Sequence, residues 1–101
     1  VFNLDCEHCQ EAAVELGKLE RAHEDFPDLY VLFYKEGATT VDEFESLTQS
    51  KFPFSFIDVN TFFDLIGDSP PRIYHLVSGG VTSIWDKDFD QNITNTFDLT
   101  K

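Results

Sequence analysis

Phe2-Asn3-Leu4-Asp5-Cys6-Glu7-His8-Cys9 runs from a short apolar segment, Val1 to Leu4, directly into a helical pattern, and it carries both cysteines of the chain at that junction. A cysteine at the start of a helix faces unpaired backbone N–H groups and the positive end of the backbone dipole, which favour the thiolate. A second cysteine three residues on sits one turn further along the same face, within reach of the first. The spacing therefore predicts a strand, a reactive dithiol and a helix, in that order.

Beyond the motif, Ala12, Ala13, Leu16, Leu19 and His23 recur at helical spacing with Glu11, Glu15, Lys18 and Arg21 elsewhere, so a first helix is expected from about His8 to Glu24, ending before Pro27. Leu29 to Tyr34 is a continuous apolar run, the mark of a strand covered on both faces. Thr40 with Glu43 three residues later is a capping-box pattern, and it opens a helix of about ten residues with Val41, Phe44 and Leu47 on one face. Past Pro53, Phe54 to Ile57 reads as a short strand, and Phe62, Phe63, Leu65 and Ile66 as a brief helix stopped at Gly67. Ile73 to Val77 and Val81 to Trp85 flank Ser78-Gly79-Gly80 as the arms of a hairpin do. Phe89, Ile93 and Phe97 predict a last helix with Asp88 at its N-cap. The densest aromatic group, Phe52, Phe54, Phe56, Phe62 and Phe63, is expected mostly in the core.

The order β-α-β-α-β-α-β-β-α implies parallel strands joined by helices, with an antiparallel hairpin at the end. That is an α/β fold with a central mixed sheet of about five strands flanked by helices. A chain of 101 residues holds one such domain, and eleven phenylalanines supply bulk for its core. Nineteen acidic against seven basic residues give a net charge of −12, which repels phosphate backbones and anionic lipid surfaces, so nucleic acid is not an expected partner. No run approaches the ~18 apolar residues of a membrane span. No charged start with an apolar core marks a signal peptide.

With these elements in place, the chain resembles the thioredoxin-like superfamily, and in particular the membrane-tethered or periplasmic branch similar to TlpA and ResA. The resemblance rests on residues 2–9, on the extra helix-strand-helix unit between Thr40 and Gly67, and on Ser69-Pro70-Pro71-Arg72-Ile73-Tyr74 leading into the hairpin. It covers nearly the whole chain. It implies a thioredoxin-like three-layer fold and a thiol-disulfide oxidoreductase, a reductase or exchange enzyme acting on protein disulfides. A cis-proline, Pro71 or Pro70, is implied at the start of the strand that faces the cysteines, with Ser69 and Arg72 beside it as substrate support. The resemblance further implies a monomeric domain of a longer tethered or exported protein, working outside the cytoplasm without a cofactor. A disulfide-containing protein is its substrate and an upstream redox partner restores it; any membrane tether lies outside these residues. Two departures stand out. The family usually has tryptophan before the first cysteine and often proline between the pair, whereas Asp5, Glu7 and His8 stand here. With Pro71 cis, Pro70 would have no N–H to offer a substrate chain.

Exchange chemistry assigns Cys6 as the attacking sulfur and Cys9 as the resolving one. Asp5, Glu7 and His8 are the expected tuners of the thiol: a protonated His8 favours the thiolate, while Asp5 and Glu7 oppose it by like-charge repulsion. The two acidic neighbours predict a protein toward the reducing end of the family. The same residues leave two other uses open, a binding module without turnover and a copper(I) carrier using both thiolates and a histidine. His23 is expected to interact with the end of its helix, and His75 to be a buried, hydrogen-bonded strand residue. Asp86, Asp88 and Asp90 alternate as in a calcium loop but lack its turn glycine and later glutamate, so they read as a helix-start cluster.

Overall fold

Strands and helices alternate as expected in the computed structural model, which describes residues 1–67 and 70–99: β1 (Phe2–Asn3), α1 (Glu7–Ala22), β2 (Val31–Tyr34), α2 (Val41–Thr48), β3 (Phe54–Phe56), α3 (Val59–Ile66), β4 (Ile73–Val77), β5 (Gly80–Trp85) and α4 (Phe89–Thr96). The first three strands form a parallel sheet in the order β1-β2-β3, with Phe2 opposite Phe33 and Val31 opposite Phe54. Parallel neighbours need a crossover, and α1 and α2 supply it.

A single mixed sheet of about five strands is not what forms among the described residues. β4 and β5 make a separate antiparallel pair, with Ile73 opposite Trp85. The two sheets are linked where Val1 and Arg72 exchange main-chain hydrogen bonds, the Val1 amine donating to the Arg72 oxygen at 2.8 Å and the Arg72 N–H to the Val1 oxygen at 3.3 Å. The physical reason is register. With Val1 opposite Arg72, antiparallel pairing sets Phe2 and Asn3 of β1 beside Pro71 and Pro70, which have no N–H to extend the ladder.

Alternation along β1 and β2 sets the layers. Phe2, Leu4, Val31 and Phe33 are buried in one core with Leu16 of α1, Phe44 of α2 and Ile93 of α4. The Phe33 and Phe44 rings meet edge to face at 5.1 Å. Tyr34, the next residue along β2, points the other way and stacks on Phe62 of α3 at 4.6 Å. Helices thus lie on both faces of the sheet, α3 opposite the other three.

The Thr40–Glu43 capping box forms: the Glu43 N–H donates to Thr40 Oγ1 at 3.1 Å and the Thr40 N–H to Glu43 Oε1 at 3.0 Å. Asp58 caps α3 in the same manner, accepting from the Thr61 N–H at 2.8 Å. Asp88 holds the N-cap position of α4 but not the function, because its left-handed backbone (φ 53°) leaves the side chain without a capping bond. At the hairpin, Ser78 and Gly79 have φ of 52° and 84°, the mirror-image turn that matches strand twist; glycine adopts it without steric cost.

Burial corrects two further expectations. Leu47 is exposed, and of the aromatic group only Phe52 and Phe62 are buried, while Phe54, Phe56 and Phe63 lie largely in solvent. β3 is the sheet's outer strand, and all three of its residues are exposed. His75 is half-buried, stacked on Trp85 and edge-on to Phe97, with Nδ1 3.0 Å from Thr82 Oγ1.

Candidate active site

Cys6 is the N-cap residue of α1, with extended backbone (φ −88°, ψ 123°) and no side-chain capping bond of its own. Its carbonyl accepts the first helical hydrogen bond from the Gln10 N–H at 3.0 Å, so its side chain projects where the first turn of the helix presents unpaired donors. Cys6 is partly exposed, whereas Cys9, one turn in, is fully buried; both thiols are free. The two sulfurs lie close enough to interact. An accessible sulfur at the helix start with a shielded partner behind it is the arrangement that two-step exchange requires.

Burial pushes the Cys9 thiol far above the usual cysteine range, since no water is there to solvate a thiolate. One contact works the other way: the Asn3 N–H donates to Cys9 Sγ at 3.4 Å. Asn3 is the organising residue beneath the motif, and the sequence reading missed it. Its carbonyl accepts from the Cys6 N–H at 3.1 Å, its Oδ1 from the Asp5 N–H at 3.0 Å, and its Nδ2 donates to Glu36 Oε1 at 3.1 Å. Gln10 adds a brace, donating to the Leu4 carbonyl at 3.1 Å. An asparagine in an apolar strand before the cysteines was the available signal, because a polar side chain there must find partners.

The expected tuning residues do not act alike. Asp5 turns its carboxylate onto the loop after β2, accepting from the Gly37 N–H at 2.7 Å and the Thr39 N–H at 3.2 Å. These bonds, with the Thr39 side chain first among the causes, hold its carboxyl below the ordinary carboxylate range. The loop approaches so closely that a Cβ on Gly37 would sit 3.0 Å from the Asp5 carboxylate. Glu7 begins α1 and is exposed. His8 is exposed too, and its Nδ1 lies 3.4 Å from Glu11 Oε1.

On the far side of β1, the Pro70–Pro71 peptide bond is cis. The Val1–Arg72 exchange brings this turn alongside β1, and antiparallel register continues it toward the cysteine end. Arg72 turns away from the thiols. Its guanidinium forms a two-pronged pair with Asp86, 2.7 Å from Nε to Oδ1 and 3.2 Å from Nη2 to Oδ2, and it lies against Gly67 at the end of α3. Asp86 therefore belongs to this pair rather than to a calcium loop. Ser69 lies outside the described residues. Among the described residues, no group of three or more His, Cys, Asp or Glu side chains is placed to hold a metal ion.

Comparison with known proteins adds one relative. Over 83 residues, 79% of this chain, the sequence is 29% identical to protein TlpB of Flavobacterium psychrophilum. The chain spans about a fifth of that relative's length, 20%. No protein-family model matches the chain, and no solved structure does. Together with a half-exposed and a buried cysteine at the head of one helix, the match indicates a thioredoxin-like relationship.

Proposed function

We propose that this chain is a thioredoxin-like domain that exchanges thiols with protein disulfides through Cys6 and Cys9. The observation that carries the reading is the asymmetry of the pair: Cys6 is partly open on the N-cap of α1, and Cys9 is buried beside it. The Cys6 thiolate attacks one sulfur of a substrate disulfide and the other leaves as a thiolate that takes up a proton. Cys9, losing its own proton, then attacks the Cys6 sulfur and releases the second substrate thiolate. The substrate disulfide is reduced to two thiols, and the dithiol here is oxidised to a Cys6–Cys9 disulfide. An upstream dithiol carrier reverses that change.

Burial makes Cys9 a poor free nucleophile and so keeps it in reserve. It reacts only with the sulfur held next to it, while the Asn3 N–H offers some stabilisation to the transient anion. The branch resemblance supports work outside the cytoplasm, on a protein substrate gripped near Pro70, Pro71 and Arg72, with Ser69 next to them in the sequence.

Reduction of insulin by a dithiol with this chain as catalyst tests the reading. Turnover should vanish in Cys6→Ser, and Cys9→Ser should accumulate a mixed disulfide through Cys6. No turnover in the parent chain, with the Cys6 thiol titratable, would sink the enzyme and leave a binding module.

A further inference from the structure

β3 is the outermost strand of the parallel sheet, and its outer edge is unguarded among the described residues. Edge strands are commonly blunted by a charge, a bulge, or a proline whose missing N–H falls on the open side. Phe54-Ser55-Phe56 has none of these. Pro53 does not serve, because its carbonyl accepts from the Val31 N–H and so belongs to the edge turned toward β2. Ile57 gives its N–H to Phe33 on that same side. By alternation the peptide groups of Ser55 also face β2, and those of Phe54 and Phe56 face outward, where among the described residues neither N–H finds a partner.

Outward donors and acceptors on Phe54 and again on Phe56 make a set that is complementary to itself. Turned about a two-fold axis through Ser55, one copy of the strand lies antiparallel to another, with Phe54 opposite Phe56 and Phe56 opposite Phe54. At both positions antiparallel neighbours exchange their N–H and C=O groups, so every outward group is used. The side chains agree with this register. Phe54 and Phe56, 38% and 55% exposed, stand edge to face at 5.8 Å, and a second copy sets its own two rings against them. On the other face Ser55 meets its own copy, a small residue at the axis. Beyond the strand, exposed Lys51 comes one residue out of step with Asp58 of the second copy, a carboxylate that the Thr61 N–H holds below the ordinary range.

We propose that β3 is a self-association edge, two copies of this chain pairing β3 to β3 antiparallel about Ser55 and so joining their parallel sheets edge to edge. The dimer departs from the monomer that the family resemblance implies. Its contact is small, so the association is weak. With −12 on each copy it tightens as salt rises, because the long-range repulsion is screened. β1 and its dithiol lie beyond β2 from the shared edge, so both exchange sites stay open and the pairing is independent of thiol chemistry.

Sedimentation and amide exchange of the reduced chain from about 10 μM to about 1 mM, a range that spans weak association, test this. The apparent mass should climb toward that of two chains, and exchange at the Phe54 and Phe56 amides should slow with concentration while the Ser78–Gly79 turn stays fast. Phe56→Pro removes an outward N–H that the fold does not use, and it should abolish the dimer. Phe56→Thr, which keeps the strand, should weaken it about tenfold. Lys51→Glu should weaken it more than Lys87→Glu, which makes the same change of net charge between β5 and α4. A monomer throughout would overturn the proposal, and so would a dimer that survives both Phe56 variants with the two amides still fast. Equal losses from Lys51→Glu and Lys87→Glu would overturn the register. Cys6→Ser should dimerise like the parent, so failure of the exchange reading leaves this result untouched.

Discussion

Asn3 ties the loop before the helix to the motif through bonds to Asp5, Cys6, Cys9 and Glu36. Asn3→Ala removes the side-chain bonds to the Asp5 N–H and the Glu36 carboxylate, both on exposed residues that water reaches, so it should cost about 1 kcal/mol in urea denaturation. An unchanged midpoint would show that water replaces the side chain. For Asp5 the sign of the pH effect follows from its depressed folded value. On acidification the unfolded chain takes the proton first, near pH 4, so the Asp5 contribution is whole above that pH and disappears as pH drops through the lower folded value. Asp5→Asn should therefore be less stable than the parent at pH 7, with the gap closing in strong acid. Glu7→Gln removes a charge beside Cys6 without touching the loop, and a less negative reduction potential is the expected result. A more negative one would contradict the repulsion argument.

At the scale of elements, α2 depends on its cap. The helix is short and buries only Phe44 and Thr48, so the reciprocal Thr40–Glu43 bonds carry much of its start. Thr40→Ala should cost about 1 kcal/mol, measured by thermal or urea unfolding, with no effect on thiol exchange. Burial sorts the phenylalanines into two kinds. Phe44, 1% exposed between Phe2 and Phe33, should cost about 3 to 5 kcal/mol when cut to alanine, as a cavity in the core does. Phe56, 55% exposed on the outer strand, should tolerate Phe56→Thr within about 0.5 kcal/mol. Equal losses at the two sites would mean that the outer face of β3 is covered in solution.

Across the whole molecule, the two sheets hang together at the Val1–Arg72 exchange, and the Val1 amine is pushed from its ordinary value of 8.0 down to about 6. Between those values the unfolded chain holds a proton that the folded chain has lost. Stability should therefore fall by at most about 2 kcal/mol as pH drops from 8 to 6, and level off below. Acetylating the amine should flatten that slope; a slope that survives acetylation assigns it to another group. The sequence by itself determined the order of elements, the Thr40 cap, the hairpin turn and the position of both cysteines at the head of a helix, because each rests on short-range periodicity or on backbone preferences of a few residues. Only tertiary structure decided that Asn3 organises the motif, that Asp5 serves a loop, that Arg72 pairs with Asp86, that three phenylalanines face solvent and that β4 and β5 stand apart from the parallel sheet. Those outcomes depend on which strand is outermost and on which residues the register sets beside β1. Such properties belong to contacts between distant segments and leave no local pattern to read.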